Sequence, residues 1–209
     1  NLMKKKIAIF GSTGSIGKTL INLIKKDKES HEITLLAAHK NHRELIKQAK
    51  CFKVKNLIIN DLKSFNYIKT KKEYSKFNIY NNFNQLNKIF KKKNDFIMSA
   101  ITGIEGLKPT ISSIKYTKNI LIANKESLIC GWEIIEKEMI KYKTNFIPVD
   151  SEHFSIWSLM NKNEKKKIDK IFITASGGPF LRLPNKKFSS VSIKNALKHP
   201  NWKMGKKIT

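Results

Sequence analysis

Short apolar segments with strand character alternate along the chain with segments whose apolar residues recur at helical spacing. Strands are predicted at Lys6–Phe10, Ile33–Ala38, Asn56–Ile59, Phe77–Tyr80, Asp95–Ser99, Asn119–Ile122, Phe146–Val149 and Lys170–Thr174. Helices are predicted at Lys18–Lys26, Arg43–Lys50, Leu62–Lys72, Phe83–Phe90, Gly106–Tyr116, a long segment ending near Tyr142, a segment after His153, and Ser192–Lys198. This alternation predicts an α/β fold with a doubly wound parallel sheet.

The length and composition fit a globular protein. A chain of 209 residues can bury a core and form one large domain or two smaller ones. No apolar run is long enough to cross a bilayer, and the apolar segment after Met3–Lys6 is too short for a signal peptide, so we expect no membrane association. Two cysteines give no disulfide framework and favour a reducing compartment. We expect Cys130 to be a small buried apolar residue.

The net charge of +26 is large, but its composition argues against nucleic-acid binding. Of the 42 basic residues only Arg43 and Arg182 are arginine, the residue best suited to phosphate and guanine. Lys, Asn, Ile and Phe share A/T-rich codons, so genome composition is a sufficient cause. A basic nucleic-acid-binding protein stays as an alternative, and the charge is expected to attract anionic ligands.

A glycine-rich segment, Gly11–Gly17, follows the first predicted strand and precedes a helix. This context is typical of a turn that lets the backbone approach a pyrophosphate at a helix N-terminus. The spacing is GxxGxxG, not the GxGxxG of most NAD enzymes. The second strand ends in His39-Lys40-Asn41-His42-Arg43 without the acidic residue that holds the NAD ribose. These donors favour NADP over NAD, although a charged helix start explains them as well.

Two further strand ends carry polar residues. Ala123–Ser127 follows one strand, with Lys125 suited to a substrate oxygen or phosphate and Asn124 and Glu126 suited to the nicotinamide ribose. A capped helix start is the alternative. Because the carboxyl ends of parallel strands face one crevice, we expect this segment and the glycine turn to share it.

The segment Phe146–His153 changes abruptly from apolar to polar. If the chain is still extended there, Asp150 and Glu152 point to the same side. Two carboxylates without a Cys or His cluster suit Mg²⁺ or Mn²⁺ better than zinc. The alternative is a helix start with Ser151 as N-cap and Glu152 in the first turn.

The last part of the chain contributes two more candidate segments. Ser176-Gly177-Gly178 follows a predicted strand and offers a hydroxyl and backbone N–H groups for a phosphate, or is an ordinary turn. The segment 199–209 combines Pro, Gly, Trp and Met in an irregular stretch that is typical of a mobile lid with an aromatic plug.

Together these motifs resemble, in order, those of the 1-deoxy-D-xylulose 5-phosphate reductoisomerases of the non-mevalonate isoprenoid pathway. The resemblance rests on Gly11–Gly17, Ala123–Ser127, Pro148–His153, Ser176–Phe180 and His199–Gly205. It implies a Rossmann-like NADPH-binding domain at 1–149, followed at 150–209 by the first part of an α+β catalytic domain with its lid. It also implies a homodimer in the bacterial cytoplasm or plastid stroma.

The resemblance further implies the reaction. The substrate, 1-deoxy-D-xylulose 5-phosphate, is rearranged by retro-aldol cleavage and re-addition and then reduced by NADPH to 2-C-methyl-D-erythritol 4-phosphate, with Mg²⁺ or Mn²⁺ bound. The implied metal ligands are Asp150 and Glu152. The implied catalytic residues are Lys125, Asp150, Glu152, His153 and His199. The implied substrate contacts are Lys125, Ser151, Glu152, Ser176, His199 and Trp202. The implied NADPH contacts are Thr13, Gly14, Ser15, Ile16, Lys40, Asn41, Asn124, Glu126 and Gly205.

The sequence departs from the family pattern in two places. His39 stands where the family often has glycine, so the contact with the ribose phosphate there is expected to differ. The sequence stops at Thr209, before a family segment with Ser, Asn, Lys and a third metal-binding Glu, so we expect these 209 residues alone to bind NADPH weakly, aggregate and lack turnover. The alternative enzyme class is another NADP-dependent oxidoreductase without a metal requirement.

Overall fold

A sheet of seven parallel strands forms the centre of the protein. The computed structural model describes residues 3–162, 168–172 and 177–198. The strands are β1 Lys5–Phe10, β2 His31–Ala38, β3 Asn56–Ile59, β4 Asn78–Tyr80, β5 Asn94–Ser99, β6 Thr117–Ile122 and β7 Asn145–Pro148. Their spatial order is β4-β3-β2-β1-β5-β6-β7, and all neighbouring pairs are parallel. The predicted doubly wound sheet is confirmed.

Helices connect the strands, as parallel pairing requires. They are α1 Ser15–Lys26, α2 His42–Phe52, α3 Leu62–Lys69, α4 Leu86–Ile89, α5 Leu107–Ser113, α6 Lys125–Tyr142, α7 Ser151–Lys162 and α8 Ile193–Ala196. Short 3₁₀ helices lie at Lys72–Tyr74, Phe83–Gln85, Ile104–Gly106, Ile114–Tyr116 and Asn185–Ser190. Several predicted helices are therefore shorter α-helices with 3₁₀ ends. Helix α1 begins three residues before its predicted start, because Ser15 and Ile16 belong to the helix and not to the turn.

Alternate residues of the strands pack into two separate hydrophobic cores, one on each face of the sheet. In β1, Ile7 and Ile9 pack with residues of α1, α2 and α3, while Ala8 and Phe10 pack with residues of α4, α5 and α6. The side chain of Phe10 is fully buried and meets Phe83 edge-on at a centroid distance of 4.8 Å. Both faces of a parallel sheet must be covered, so continuous apolar runs replace simple alternation in the sequence.

The strand order reverses between β1 and β5, which pair in register with Phe10 opposite Ser99. The backbone continues this contact past the end of β5, since Ala100 N–H donates to Phe10 O at 3.0 Å. In open α/β sheets the crevice outside the carboxyl ends of the strands at such a reversal is where ligands bind. The fold thus places the glycine turn after β1 at this point.

The expectation that Cys130 is buried is wrong, and the strand predicted at Lys170–Thr174 does not occur in its described part. Cys130 is exposed, because the buried positions of α6 are Ser127, Gly131, Ile135 and Met139, one turn apart, and Cys130 lies off that line. In the described part of the predicted strand Lys170–Thr174, residues 170–172 adopt no strand, and the remainder lies outside the described residues. No strand of the predicted α+β region therefore occurs among residues 168–172 and 177–198.

The chain divides into two compact units, Asn1–Leu159 and Met160–Thr209. The first contains the sheet and helices α1 to α6. In the second, the described residues include α8, which Ser192 and Asn195 close with a reciprocal capping box, and a ring contact between Phe180 and Phe188 at 6.1 Å. None of the helices in the described ranges is both long and apolar enough to span a membrane.

Candidate functional site

The glycine turn is held tightly against both flanking elements. Gly11 has φ +80°, and a Cβ there would lie 2.5 Å from the carbonyl oxygen of Ala100 at the end of β5. A Cβ on Gly17 would lie 2.3 Å from Gly11 O. The N–H groups of Gly11 and Ser12 both donate to Ala37 O of β2 at 2.9 Å. Side chains at Gly11 and Gly17 would therefore displace backbone, which explains two of the three glycines of the motif.

The start of α1 has the features of an anion site. Gly14 is the N-cap residue and provides no side-chain cap, and the first turn carries no acidic residue. The N–H groups of Ser15, Ile16 and Gly17 therefore stand at the positive end of the helix dipole without a capping side chain. Of the predicted NADPH contacts, Thr13 and Gly14 lie in the turn, and Ser15 and Ile16 lie in the first turn of α1. This cradle fits a pyrophosphate.

The basic cluster after β2 lies at the same edge of the sheet. His39, Lys40, Asn41 and Arg43 are all exposed. Asn41 caps α2 by accepting a hydrogen bond from Glu44 N–H at 3.2 Å, so its side chain already has a structural role. The exposed cations fit a ribose 2′-phosphate, as the sequence predicts.

An acidic residue that the sequence analysis missed lies beside this cluster. Asp61 caps α3, accepting from Ser64 N–H at 2.8 Å, and the hydrogen bonds from Ser64 and the charge of His39 hold the pKa of the Asp61 carboxyl below its usual value. The backbone is tied to this cap as well, since Ser64 Oγ donates to Lys40 O at 3.1 Å. The sequence does contain a signal for this cap, because Asp61 directly precedes a helical pattern and aspartate is a preferred N-cap residue.

The polar segment after β6 is a capped helix start. Asn124 is 3% exposed and accepts from Ser127 N–H at 2.8 Å. Its amide donates to Gly103 O at 2.6 Å and also to Ile101 O. All of these contacts are structural, so the predicted role of Asn124 at the nicotinamide ribose stays a prediction. Glu126 and Lys125 are exposed in the first turn of α6.

Asp150 is the capping residue of α7. Its Oδ1 accepts from His153 N–H at 2.8 Å, and His153 Nδ1 lies 2.8 and 2.9 Å from the two carboxylate oxygens. The Asp150 side chain is 8% exposed, against 61% for His153. The helix-start interpretation was correct, but it placed the cap at Ser151, whose side chain lies outside the described part. The chain is not extended at Glu152, which lies in the first turn of α7.

An ion pair joins the two polar segments. Lys125 Nζ lies 3.0 Å from Glu152 Oε2, with the two side chains 47% and 42% exposed. Strands β6 and β7 are neighbours in register, with Ile122 opposite Pro148, so the residues after them come together. That Ala123–Ser127 shares a crevice with the glycine turn stays a prediction.

The carboxylates of Asp150 and Glu152 form part of a site for a hard divalent cation. Asp150 and Glu152 supply carboxylate oxygens, the donors that Mg²⁺ and Mn²⁺ prefer, and His153 holds Asp150 in the way an outer-shell residue orients a metal ligand. Within the part of the chain that the structure describes, no group of three or more His, Cys, Asp or Glu residues gathers. Two carboxylates are thus a partial ligand set that needs further oxygens.

Four predicted site residues, Ser176, His199, Trp202 and Gly205, lie outside the described residues.

Family models match nearly the whole chain. Residues 7–131 match 1-deoxy-D-xylulose 5-phosphate reductoisomerase, and residues 146–209 match the C-terminal domain of 1-deoxy-D-xylulose 5-phosphate reductoisomerase. The chain belongs to this reductoisomerase family. The resemblance inferred from the motifs is confirmed.

Curated relatives carry the same name. The chain is 58% identical over 207 residues to the reductoisomerase of Pelagibacter ubique, covering 98% of this chain and 53% of the relative. It is 38% identical over 208 residues to that of Halothermothrix orenii, covering 99% and 54%. The chain thus spans about half the length of the curated reductoisomerases it matches.

Solved reductoisomerase structures share the fold. The enzyme from Zymomonas mobilis in complex with NADPH superposes with a TM-score of 0.84 at 29% identity, over 93% of this chain and 51% of that one. A DOX-P reductoisomerase in complex with NADPH, fosmidomycin and magnesium gives a TM-score of 0.83 at 29% identity, over 97% and 52%. The NADPH and magnesium named in these structures match the cofactor and the metal expected from the sequence.

Proposed function

We propose that this chain forms the NADPH-binding domain, residues 1–149, and the beginning of the catalytic domain, residues 150–209, of a 1-deoxy-D-xylulose 5-phosphate reductoisomerase. The reaction is the rearrangement and reduction of that sugar phosphate to 2-C-methyl-D-erythritol 4-phosphate, in a homodimeric enzyme. The observation that carries the proposal is the 3.0 Å contact between Lys125 and Glu152, because it gathers cationic and carboxylate groups at the sheet edge that also carries the glycine turn.

The cofactor is held by two parts of that edge. The N–H groups of Ser15 and Ile16 bind the pyrophosphate, and Lys40 and Arg43 bind the 2′-phosphate, which has no counterpart in NADH. When bound, NADPH supplies the hydride and a divalent cation supplies Lewis acidity. The remaining contacts proposed for NADPH, from Thr13, Gly14, Asn41, Asn124, Glu126 and Gly205, follow the family motifs.

The catalytic residues act on the substrate from the strand ends beside the turn. Asp150 and Glu152 hold the cation, and His153 fixes the orientation of Asp150 through its Nδ1. Lys125 binds a substrate oxygen, and its positive charge stabilises negative charge on the substrate close to the reacting carbon. Ser151, Ser176, His199 and Trp202 complete the proposed substrate contacts.

Substitution of Asp150 tests the metal assignment without breaking the helix start. Asparagine caps helices about as well as aspartate, so Asp150→Asn keeps the cap and removes the charged ligand. We expect Mn²⁺ affinity, measured by electron paramagnetic resonance, to fall at least as far as the roughly 10–100-fold seen on loss of an outer-shell partner. NADPH affinity should stay near that of the parent chain.

The matched control is Asp61→Asn, the same substitution at the cap of α3. It should leave Mn²⁺ affinity unchanged. Unchanged Mn²⁺ binding in Asp150→Asn would return Asp150 to a purely capping role and refute the metal assignment.

A further inference from the structure

Gln48 is a buried polar residue that no predicted site includes. It lies in α2 with 3% of its surface exposed, among the buried residues Leu45, Ile46 and Ala49. Buried amides are costly unless their hydrogen bonds are made. An apolar residue would satisfy the helix periodicity at this position, so the amide must be explained by what it contacts.

The Gln48 amide reaches the glycine turn. Its Nε2 donates to Ser12 O at 3.0 Å, across 36 residues of sequence, and this hydrogen bond is buried. Among the described residues, no other side chain from outside the turn and α1 donates to a carbonyl of the turn. Gln48 therefore fixes the turn from the side of the sheet where α2 packs.

The same amide is connected to the basic cluster. Nε2 also lies 3.4 Å from Glu44 Oε1, and the N–H of Glu44 donates to Asn41, the cap of α2. Asn41 is thus bonded to the backbone of Glu44, and the side chain of Glu44 is bonded to Gln48, which reaches Ser12; the connection from Asn41 to Ser12 passes through the Glu44 residue itself. Its two ends are the two segments that hold the pyrophosphate and the 2′-phosphate of NADPH in the proposed function.

Two buried atoms at this junction have no hydrogen-bond partner among the described residues. They are Gln48 Oε1 and Ser12 Oγ, an acceptor and a group able to donate. Buried polar atoms are rarely left unsatisfied, so each exception calls for an explanation. For Gln48, the explanation starts from the one contact that its amide makes with the turn, the hydrogen bond to Ser12 O.

We propose that Gln48 is a positioning residue that sets the distance and orientation between the pyrophosphate-binding turn and the 2′-phosphate-binding cluster. The inference rests on the proposed function, because it requires NADPH to span these two segments. Gln48 itself contacts neither phosphate; it acts through Ser12 O on one side and through Glu44 and Asn41 on the other.

The test compares a ligand that spans both segments with one that contacts a single segment. Gln48→Leu removes the donor while filling a similar volume. We expect its NADPH affinity, measured by calorimetric titration of the 209-residue chain, to fall about tenfold, which corresponds to about 1.4 kcal/mol. The affinity for adenosine 2′-monophosphate, which contacts the basic cluster alone, should stay within about twofold of the parent chain.

Gln48→Met keeps a similar length, adds no charge and cannot donate, so it should also lower the affinity for NADPH and leave that for adenosine 2′-monophosphate unchanged. The matched control is Gln85→Leu, the identical substitution at an exposed residue whose side chain caps nothing. It should change neither affinity.

A merely structural role gives a different result. If Gln48→Leu lowers the unfolding midpoint but leaves NADPH affinity unchanged at a temperature where the protein is folded, the inference is overturned. Equal losses for both ligands overturn it too, since they indicate general damage to α2. A parent chain that binds adenosine 2′-monophosphate but gains nothing from the rest of NADPH would instead refute the proposed function.

Discussion

Replacing Gly17 by alanine has two effects of opposite sign on the free energy of unfolding. Gly17 lies inside α1, where alanine is favoured over glycine by about 1 kcal/mol. The new Cβ, however, would lie 2.3 Å from Gly11 O and 2.6 Å from Ser12 Cα. Overpacking costs typically about 1–3 kcal/mol, and here the obstruction is backbone that no rotamer change relieves. The clash should win, with a net loss of up to about 2 kcal/mol in the free energy of unfolding.

A second glycine provides the control. A Cβ on Gly131 would lie 2.4 Å from Leu107 Cδ1, the far end of a flexible side chain that can turn away. Gly131→Ala should therefore cost less than Gly17→Ala. Urea unfolding of both variants, with the midpoint compared at equal slope, measures the difference.

The Gly17→Ala substitution should also weaken NADPH binding. Relief of the Gly17 clash must move the turn that carries Gly11 and Ser12, so NADPH affinity of the folded Gly17→Ala protein should fall as well. A Gly17→Ala variant that is more stable than the parent by about 1 kcal/mol, as at an unobstructed helix position, would refute the close contact.

Three further predictions concern charges. The chain should bind NADPH more tightly than NADH, and Arg43→Ala should reduce that preference in paired titrations; equal affinities for the two cofactors count against the 2′-phosphate assignment. Lys125→Met should raise Mn²⁺ affinity severalfold, since it removes a cation 3.0 Å from Glu152; unchanged affinity would place the metal elsewhere. The hydrogen bond from Lys118, followed by that from Lys6 N–H, lowers the pKa of Asp95, so its stabilisation is present above about pH 4 and is lost as pH falls through the lower folded pKa.

Asp95→Asn tests the last of these by urea unfolding as a function of pH. Lys118 is 62% exposed and water screens the pair, so the loss at neutral pH should be at most about 1 kcal/mol. The parent and the variant should converge in acid. A difference that persists in strong acid would attribute the effect to packing and not to charge.

The sheet was predictable because each strand is a short apolar run followed by a polar or glycine-rich segment. The boundaries were less predictable where local geometry and tertiary contacts decide them. The start of α1 is an example: Ser15 and Ile16 read as part of the turn, yet the N–H groups they contribute belong to a helix. Cys130 was misplaced because burial in α6 follows a line through Gly131, where Leu107 packs against the helix, and composition does not reveal that line.

The candidate site was predictable to the extent that its residues come directly after strands. Lys125 and Glu152 lie after neighbouring strands, so strand order alone brings them together once it is known. Gln48 and Asp61 were missed for a different reason. Their contacts, from Gln48 to Ser12 O and from Asp61 N–H to His39 O, join elements that are far apart in sequence or need a helix start to be recognised. Sequence patterns therefore indicate the residues at the end of a strand better than the residues of a neighbouring helix that support them.

The amide of Asn124 has a consequence for how the site can move. By bonding to the carbonyls of Ile101 and Gly103 and to the N–H of Ser127, it locks the exit of β5 to the first turn of α6. Those two segments must be displaced together as one rigid piece, carrying Lys125 with them. Any closure around a ligand that shifts the loop after β5 therefore also moves the Lys125 side chain. Amide hydrogen exchange rates in both segments should then change together.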